Sequence, residues 1–416
     1  MSNSELVGER WQAKLAASFV ASGVGLCAKG NLGAAVQAYK SALAVTEMLA
    51  DADPANSESQ GEVASCCSDI GYALVGQGRF GEASDFCVRG LSIREKLHAL
   101  EPLNVEWQRR LALARLGMGE VASGQGDFLK AREWFSAALL IREALFNAHP
   151  DNTEFGANVA YVYRVLGDGL VLQDRLEEAY GAFATAVALV ETLAQGTPAE
   201  HGFWATLVDL HRRVAGVHFL ARRPWDAIRS GDEALRISIA ATQAKPDDLK
   251  WAEELYSTCK VLGDVASFED DALQLETYLK ALAVAQRMVA ADPGYLPGYV
   301  CISQALSRLG GVLHSQRGNW QLALDDLAVA REAMGYLVKI DPLNLCWHAD
   351  FAELVRMSGE VEALGRQSAA ARTSYALALS MYEAMIAIDP AGGRWAKKAA
   401  DVQNDLADFE EAKDVA

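Results

Sequence analysis

The sequence lacks the long apolar runs that cross a membrane. Nowhere in its 416 residues do about 18 consecutive apolar residues occur. The first ten residues contain no basic stretch followed by an apolar one, so they do not predict a secretory leader. These absences predict a cytoplasmic protein that does not interact with membranes.

Positive charge is also scarce. The chain has 38 Lys and Arg against 55 Asp and Glu, a formal net charge of -17. Nucleic-acid backbones and anionic membranes are held by basic surfaces that release counterions. The charge balance therefore argues against both kinds of partner.

Cysteine and catalytic motifs are sparse as well. Seven cysteines, an odd number without CxxC spacing, favour reduced thiols over a disulfide framework or a zinc site. No nucleophile elbow, phosphate loop, dinucleotide fingerprint or metalloprotease motif occurs. His211 and His218 lie seven residues apart without a third ligand at helical spacing, which favours a packing role. We predict no catalytic residues, no cofactor and no metal site.

What the sequence does contain is a regular series of prolines. Of ten prolines, eight follow each other at steps of 47 to 49 residues: Pro54, Pro102, Pro150, Pro198, Pro246, Pro293, Pro342 and Pro390. A fixed period of a few tens of residues indicates one supersecondary unit copied and stacked. The chain is therefore predicted to be a repeat array.

Counting each proline as offset zero exposes the unit. A glycine recurs at offset 17: Gly23, Gly71, Gly119, Gly167, Gly263, Gly310 and Gly359, with Ala215 in the remaining repeat. A glycine inside a helix costs about 1 kcal/mol relative to alanine, so its recurrence predicts close approach of a second helix. The alanines twelve residues later, such as Ala131, are predicted as the other half of that contact, and bulky residues such as Phe135 follow at offset 33.

Turn and cap residues complete the unit. Gly30, Gly78, Gly126 and Gly318 predict a left-handed turn between a first helix, A, and a second helix, B. Proline then ends helix B, and Asn56, Asn104, Asn152 and Asn344 are suited to cap the next helix A. We predict eight helix pairs over residues 1–389, starting near 6, 54, 102, 150, 198, 246, 293 and 342, and a capping helix over 390–416. The sixth repeat is one residue short and the seventh gains one before Gly318, which predicts irregular geometry there.

These residues resemble the tetratricopeptide repeat. The family places a glycine in helix A, small and aromatic residues in helix B and a proline after it, and one full set here is Gly119, Ala131, Phe135, Ala138 and Pro150. The unit of 48 residues exceeds the usual 34 by about two turns per helix, as in long-helix arrays frequent in bacterial proteins. The resemblance implies an all-α, right-handed α-solenoid of antiparallel helix pairs that binds a protein or peptide in a concave groove.

The resemblance also implies that offset 14 lines this groove. That position reads Val20, Ser68, Leu116, Arg164, Arg212, Lys260, Ser307 and Arg356. A stripe of cations would receive an acidic segment or a C-terminal carboxylate, so the binding candidates are Arg164, Arg212, Arg213, Lys260 and Arg356. The alternative is ion pairing within each helix, since Asp168, Asp264 and Glu360 stand four residues later. Arg212 has Gly216 in that place, which predicts an unpaired guanidinium.

Two functions remain open. The first is a non-enzymatic scaffold or adaptor for a protein or peptide. The second is a regulator that responds to a small ligand or peptide, with the irregular sixth and seventh repeats as its hinge. The sequence indicates neither the partner nor an oligomeric state.

Overall fold

Helices account for nearly all of the described residues, as the apolar periodicity predicts. The computed structural model describes residues 3–196, 201–267, 271–314 and 317–415, and these contain seventeen α-helices and one π-helix. The first nine are α1 (Asn3–Ala28), α2 (Leu32–Ala52), α3 (Ser57–Gly76), α4 (Phe80–Leu100), α5 (Val105–Gly124), α6 (Phe128–Ala148), α7 (Thr153–Val171), α8 (Leu176–Gly196) and α9 (His201–Leu220). The others are α10 (Pro224–Ala244), α11 (Leu249–Ala266), α12 (Asp271–Ala291), α13 (Leu296–Ser307), α14 (Trp320–Ile340), α15 (Leu345–Leu364), α16 (Ser368–Ile388) and α17 (Gly393–Val415), with the π-helix at Arg308–His314.

Consecutive helices pack as antiparallel pairs, which confirms the all-α class. Odd-numbered helices from α1 to α15 are the A helices and even-numbered ones are the B helices. The repeating prolines lie in the turns between helix pairs, as the sequence predicts, apart from Pro198, which lies outside the described residues.

The glycines at offset 17 receive a side chain from helix B. A Cβ on Gly23, Gly119, Gly167 or Gly263 would overlap the ring of Tyr39, Phe135, Phe183 or Tyr278. The predicted close approach of a second helix is therefore confirmed. In these four pairs the nearest atoms belong to the ring. The predicted alanine is among the nearest contacts in two other pairs, where the backbone oxygen of Ala83 lies 3.7 Å from the Cβ position of Gly71 and that of Ala371 lies 3.3 Å from the Cβ position of Gly359.

The turn and cap predictions are confirmed. Gly30, Gly78, Gly126 and Gly318 all have φ between 74° and 85°. The side chains of Asn56, Asn104, Asn152 and Asn344 accept hydrogen bonds from backbone N–H groups in the first turn of the following A helix. Three equivalent turns use Asp174, Arg222 and Arg366 at φ of 58° to 59°, positions for which a non-glycine residue gives no sequence signal.

The extra residue of the seventh repeat is absorbed by the π-helix. Helix α13 is α-helical for 12 residues and continues as the seven-residue π-helix Arg308–His314. A wider turn accommodates one more residue without breaking the chain's helical path. The predicted irregularity of this repeat is confirmed.

The residues group into two compact units. The first comprises Met1–Leu145, Val338–His348 and Glu383–Lys397, and the second comprises Phe146–Leu337, Ala349–Tyr382 and Lys398–Ala416. Buried residues of α2 to α5, such as Ile70, Leu74 and Leu111, form the core of the first unit. In the second unit one apolar cluster surrounds Phe183 and Leu210, and another surrounds Tyr256 and Met288.

The first unit also joins residues far apart in sequence. Gln77 Nε2 donates to Asp341 Oδ2 at 2.7 Å, and the backbone N–H groups of Phe80 and Gly81 donate to Asp389 at 2.9 and 3.0 Å. The ring of Phe80 stacks on Trp395 with centroids 6.1 Å apart. We call these six residues, Gln77, Phe80, Gly81, Asp341, Asp389 and Trp395, the clasp.

Candidate functional site

The five predicted binding residues all lie on A helices of the second unit. Arg164 is on α7, Arg212 and Arg213 are on α9, Lys260 is on α11, and Arg356 is on α15. Each of them contacts a polar side chain on a neighbouring helix. The site is therefore a set of cross-links between successive helices.

Helices α7 and α9 are joined by two arginines and two aspartates. Arg164 Nη1 lies 3.2 Å from Asp168 Oδ2, and its Nε lies 3.9 Å from Asp209 Oδ2. Arg213 bonds Asp168 and, at 2.9 Å, Asp209 Oδ2. Each aspartate is thereby shared between a cation of its own helix and one of the neighbouring helix.

Helix α9 is joined to α11 through Arg212. Its Nη2 lies 2.9 Å from Asp209 Oδ1 and 2.9 Å from Glu254 Oε2. The prediction that Arg212 is unpaired is therefore wrong. Its acidic partners are the residue three positions earlier in the chain and one on the next A helix. Asp209 at i−3 was visible in the sequence, whereas Glu254 required the packing of α9 on α11.

Lys260 and Arg356 also contact neighbouring helices, and Arg356 pairs within its own helix as well. Lys260 Nζ donates to Gln304 Oε1 on α13 at 3.1 Å, while Asp264, four residues later, bonds Arg308 and Tyr278. Arg356 pairs within its helix with Glu353 at 2.8 Å and Glu360 at 2.5 Å, and across to Asp405 of α17 at 2.8 Å. Pairing four residues apart thus holds for Arg164 and Arg356, and cross-helix contacts add to it.

Burial shifts the titration of the carboxyl groups in this network. It raises the pKa of Glu254 to about 7, although the Arg212 guanidinium acts in the opposite direction. Burial also acts to raise the pKa of Asp209, but ion pairs with Arg213 and Arg212 outweigh it and leave that pKa lowered. Glu254 is therefore the member that gains a proton first as the pH falls towards neutrality.

An open pocket of about 560 Å³ lies against this network. Its lining consists of Glu154, Ala157, Asn158, Tyr161, Arg164, Ala205, Thr206, Asp209 and Glu254. The Arg164 guanidinium lies over the Tyr161 ring, 4.6 Å from its centroid. Carboxylate, amide, hydroxyl and guanidinium groups together offer both donors and acceptors, which suits an extended peptide or polar side chains.

In the first unit, residues of the A helices α1 and α3 also line a pocket. There a cavity of about 460 Å³ is lined by alanines of α1, by Val20 and by Glu58 and Glu62 of α3. Val20 stands at offset 14, the position of Arg164 in its own repeat. Residues of the A helices thus line a pocket in each unit. The pocket of the first unit is apolar and acidic, and the pocket of the second unit has charges of both signs.

The described residues hold no group of three or more His, Cys, Asp and Glu side chains arranged to ligate a metal. None of the described helices combines the length and apolar character of a membrane span. Burial lowers the pKa of both His211 and His218.

Stacked antiparallel helix pairs with a pocketed A-helix face define an α-helical repeat protein. A model of the tetratricopeptide repeat matches residues 63–99, which cover α4 and most of α3. The matched segment is therefore a tetratricopeptide repeat, and similar helix pairs recur along the described chain. Repeats of this family generally act as protein-interaction scaffolds and are typically non-catalytic.

Several solved structures are similar to this chain. The apo form of RapI is 11% identical and aligns with a TM-score of 0.51 over 78% of this chain and 99% of its own. BtubC from P. vanneervenii is 18% identical, with a TM-score of 0.46 over 64% of this chain and 93% of its own. A tetratricopeptide repeat protein from Parabacteroides merdae is 12% identical, with a TM-score of 0.36 over 80% and 99%. No curated protein matches the chain in sequence.

Proposed function

We propose that this chain is a non-enzymatic cytoplasmic scaffold or adaptor that binds a protein or peptide segment on its A-helix face. The array consists of eight helix pairs with α17 as its cap. The observation that carries the proposal is the polar pocket beside Arg164, Asp209 and Glu254, at the phase where the family binds peptides. Free thiols at all seven cysteines support the cytoplasm as the compartment.

The five cations Arg164, Arg212, Arg213, Lys260 and Arg356 are the proposed binding residues, and they act by exchange of partners. An acidic segment replaces an internal carboxylate, most readily Glu254. Because burial holds the pKa of Glu254 at about 7, protonation at mildly acidic pH releases Arg212 from one of its two carboxylates. The guanidinium then donates two hydrogen bonds to a carboxylate of the partner.

A peptide library displayed on phage and selected against the full chain tests this function. We expect the selected peptides to be enriched in Asp and Glu and to bind more tightly at pH 6 than at pH 8. Charge reversal in Arg212→Glu or Arg356→Glu should weaken them about tenfold or more, since a hydrogen bond to a charged group contributes roughly 1.5–3 kcal/mol. The control is Arg229→Glu on α10, an exposed arginine on a B helix.

Two results would count against the scaffold function. One is a library from which no peptide is selected. The other is a set of peptides whose affinity is the same for the wild type, Arg212→Glu and Arg356→Glu, with each variant shown by circular dichroism to be folded.

The π-helix favours a second candidate function, that of a regulator responding to a peptide or small ligand. Helical hydrogen bonding is weakest where the path widens, and Arg308–His314 lies in the A helix of the seventh repeat, beside the contact of Arg308 with Asp264. Hydrogen exchange with and without a selected peptide separates the two functions. A regulator changes exchange at 308–314 on binding, whereas a scaffold changes it only at the contacted face.

A further inference from the structure

An apolar pocket on the other side of the second unit is not used by the proposed function. It has a volume of about 410 Å³ and lies where α10 and α12, two successive B helices, flank α11. Its walls are mainly aliphatic: Leu235 and Ile239 of α10, Leu255 and Leu262 of α11, and Leu273 of α12. Leu273 and Ile239 are partly open to solvent, at 48% and 39% exposure.

The floor of this pocket follows from a change in the fifth repeat. At offset 33, where other repeats insert a ring such as Phe183 or Tyr375, this repeat has Gly231. Leu262 of α11 packs on Gly231, so closely that a Cβ there would overlap its side chain. The space between α10 and α11 is thereby lined by a leucine rather than sealed by an aromatic ring.

Charge is distributed unevenly along the pocket. Asp232 of α10 and Lys280 of α12 both line the pocket, and Lys280 also pairs with Glu276 at 2.7 Å. Arg287 of α12 is exposed. Among the described residues it has neither an ion pair nor a hydrogen bond. The pocket therefore has an aliphatic body, a carboxylate at Asp232 and an unpaired cation, Arg287, towards the C-terminal end of α12.

We infer that this pocket binds a small amphiphile with an apolar chain and an anionic head group. Its volume falls in the range of small-molecule sites, about 300–1,000 Å³, which are largely apolar with a few polar groups that fix orientation. From Ile228 to Ile239 it runs about 16 Å along α10 at 1.5 Å per residue. Arg287 holds the head group, because a guanidinium pairs in a planar, bidentate way with carboxylate, sulfate or phosphate.

The dimensions favour a small molecule over a partner helix. A helix with its side chains is roughly 10–12 Å across, and it would need an apolar surface larger than this enclosed space. None of its lining residues also lines the pocket beside Arg164, so the inference stands or falls independently of peptide binding.

Isothermal titration calorimetry of the full chain with dodecanoate, below its micelle concentration, tests the inference. We expect saturable one-to-one binding that Arg287→Glu weakens about tenfold or more. Ala283→Trp should block binding, because Ala283 is an exposed residue of the pocket wall and an indole there fills the space. Both substitutions are at exposed positions, and thermal melting by circular dichroism verifies that the variants fold.

Matched controls and a probe of opposite charge define the outcome. Two control variants should bind dodecanoate like the wild type. One is Arg331→Glu on α14, which alters a guanidinium with no ion pair or hydrogen bond to described residues. The other is Ala240→Trp, at an exposed alanine of α10 outside the pocket. Dodecylammonium should bind weakly. Any of three results overturns the inference. The first is the absence of a saturable isotherm with dodecanoate, which is the result expected of a groove that accepts only a helix. The others are equal binding of dodecylammonium and unchanged binding by Ala283→Trp.

Discussion

At the scale of single residues, the repeat is held together by pairs of a glycine on helix A and a ring on helix B. The ring of Phe135 covers Gly119, and Phe183 covers Gly167 in the same way. The fifth repeat reverses the pair, with Ala215 at the glycine position and Gly231 at the ring position. Both changes occur together because a methyl group and a ring cannot share the space that one ring fills.

Gly119→Ala should therefore destabilise the protein even though alanine is the better helix former. The methyl group would overlap Phe135, and overpacking costs about 1–3 kcal/mol, which exceeds the gain of about 1 kcal/mol in helix propensity. In a double-mutant cycle with Phe135→Ala, the two substitutions should be non-additive, because the methyl then enters the space left by the ring. Urea unfolding measures both effects.

Gly169→Ala is the control for that cycle. No heavy atom lies within 4 Å of the Cβ position of Gly169, so this substitution should raise the free energy of unfolding by up to about 1 kcal/mol. Equal effects of the two alanines would contradict the argument from the ring.

The same pairs show what could be predicted from the sequence. Spacing located Gly119 and Phe135 in one unit, and the asparagine caps followed from residue type alone, because these interactions are local or repeat with the period. The partners of Arg212 did not follow so simply, since Glu254 comes 42 residues later and reaches Arg212 only through the packing of α11 on α9. The proposed binding residues lie at a position whose residue type differs between repeats, so the period does not identify them.

At the scale of helices, the charged network links three successive A helices, α7, α9 and α11. Arg164, Arg213 and their aspartates join α7 to α9, and Arg212 with Glu254 joins α9 to α11. Partly buried ion pairs are screened less by solvent than those on the surface, yet each buried charge loses hydration. The result is a set of carboxyl groups whose stabilising effect depends on pH.

Glu254→Gln tests this dependence. The folded state raises the pKa of Glu254 from 4.5 to about 7, so between these values the native protein binds a proton that the unfolded chain releases. The contribution of this group to stability is therefore fully present below pH 4.5 and falls as the pH rises to 7. Relative to wild type, the glutamine variant should gain about 1–3 kcal/mol in unfolding free energy from pH 5 to pH 7.5.

The measurement is denaturant unfolding across that pH range. Glu276→Gln serves as the control, because this glutamate pairs with Lys280 on the surface and is 61% exposed, so its replacement should leave the pH profile of the wild type unchanged. A difference between Glu254→Gln and the wild type that is constant with pH would show that burial does not govern this carboxyl.

At the scale of the whole molecule, the first unit is built from both ends of the sequence. The clasp brings Asp389 to the start of α4, where it accepts from Phe80 and Gly81, residues 309 and 308 positions away. Offset 27 holds Gly33 and Gly81 in the first two repeats but Leu129, Trp225 and Leu273 in others. A Cβ on Gly33 would lie 2.7 Å from Asp341, and one on Gly81 2.8 Å from Asp389. The glycines thus leave room for the carboxylates, a contact that the repeat period cannot predict.

Asp389→Ala should weaken this unit. Asp389 is 5% exposed, and its loss leaves two backbone N–H groups at the helix N-terminus without their acceptor, where a negative charge is favourable. We expect a loss of about 2–3 kcal/mol, since a hydrogen bond to a charged group contributes roughly 1.5–3 kcal/mol. Hydrogen exchange at the amides of Phe80 and Gly81 should accelerate and the melting temperature should fall.

Asp53→Ala is the matched control. Asp53 also precedes a proline of the repeating series, but it is exposed, so its replacement should leave stability nearly unchanged. If the amides of Phe80 and Gly81 keep their protection in Asp389→Ala, the clasp does not hold the two ends of the sequence together.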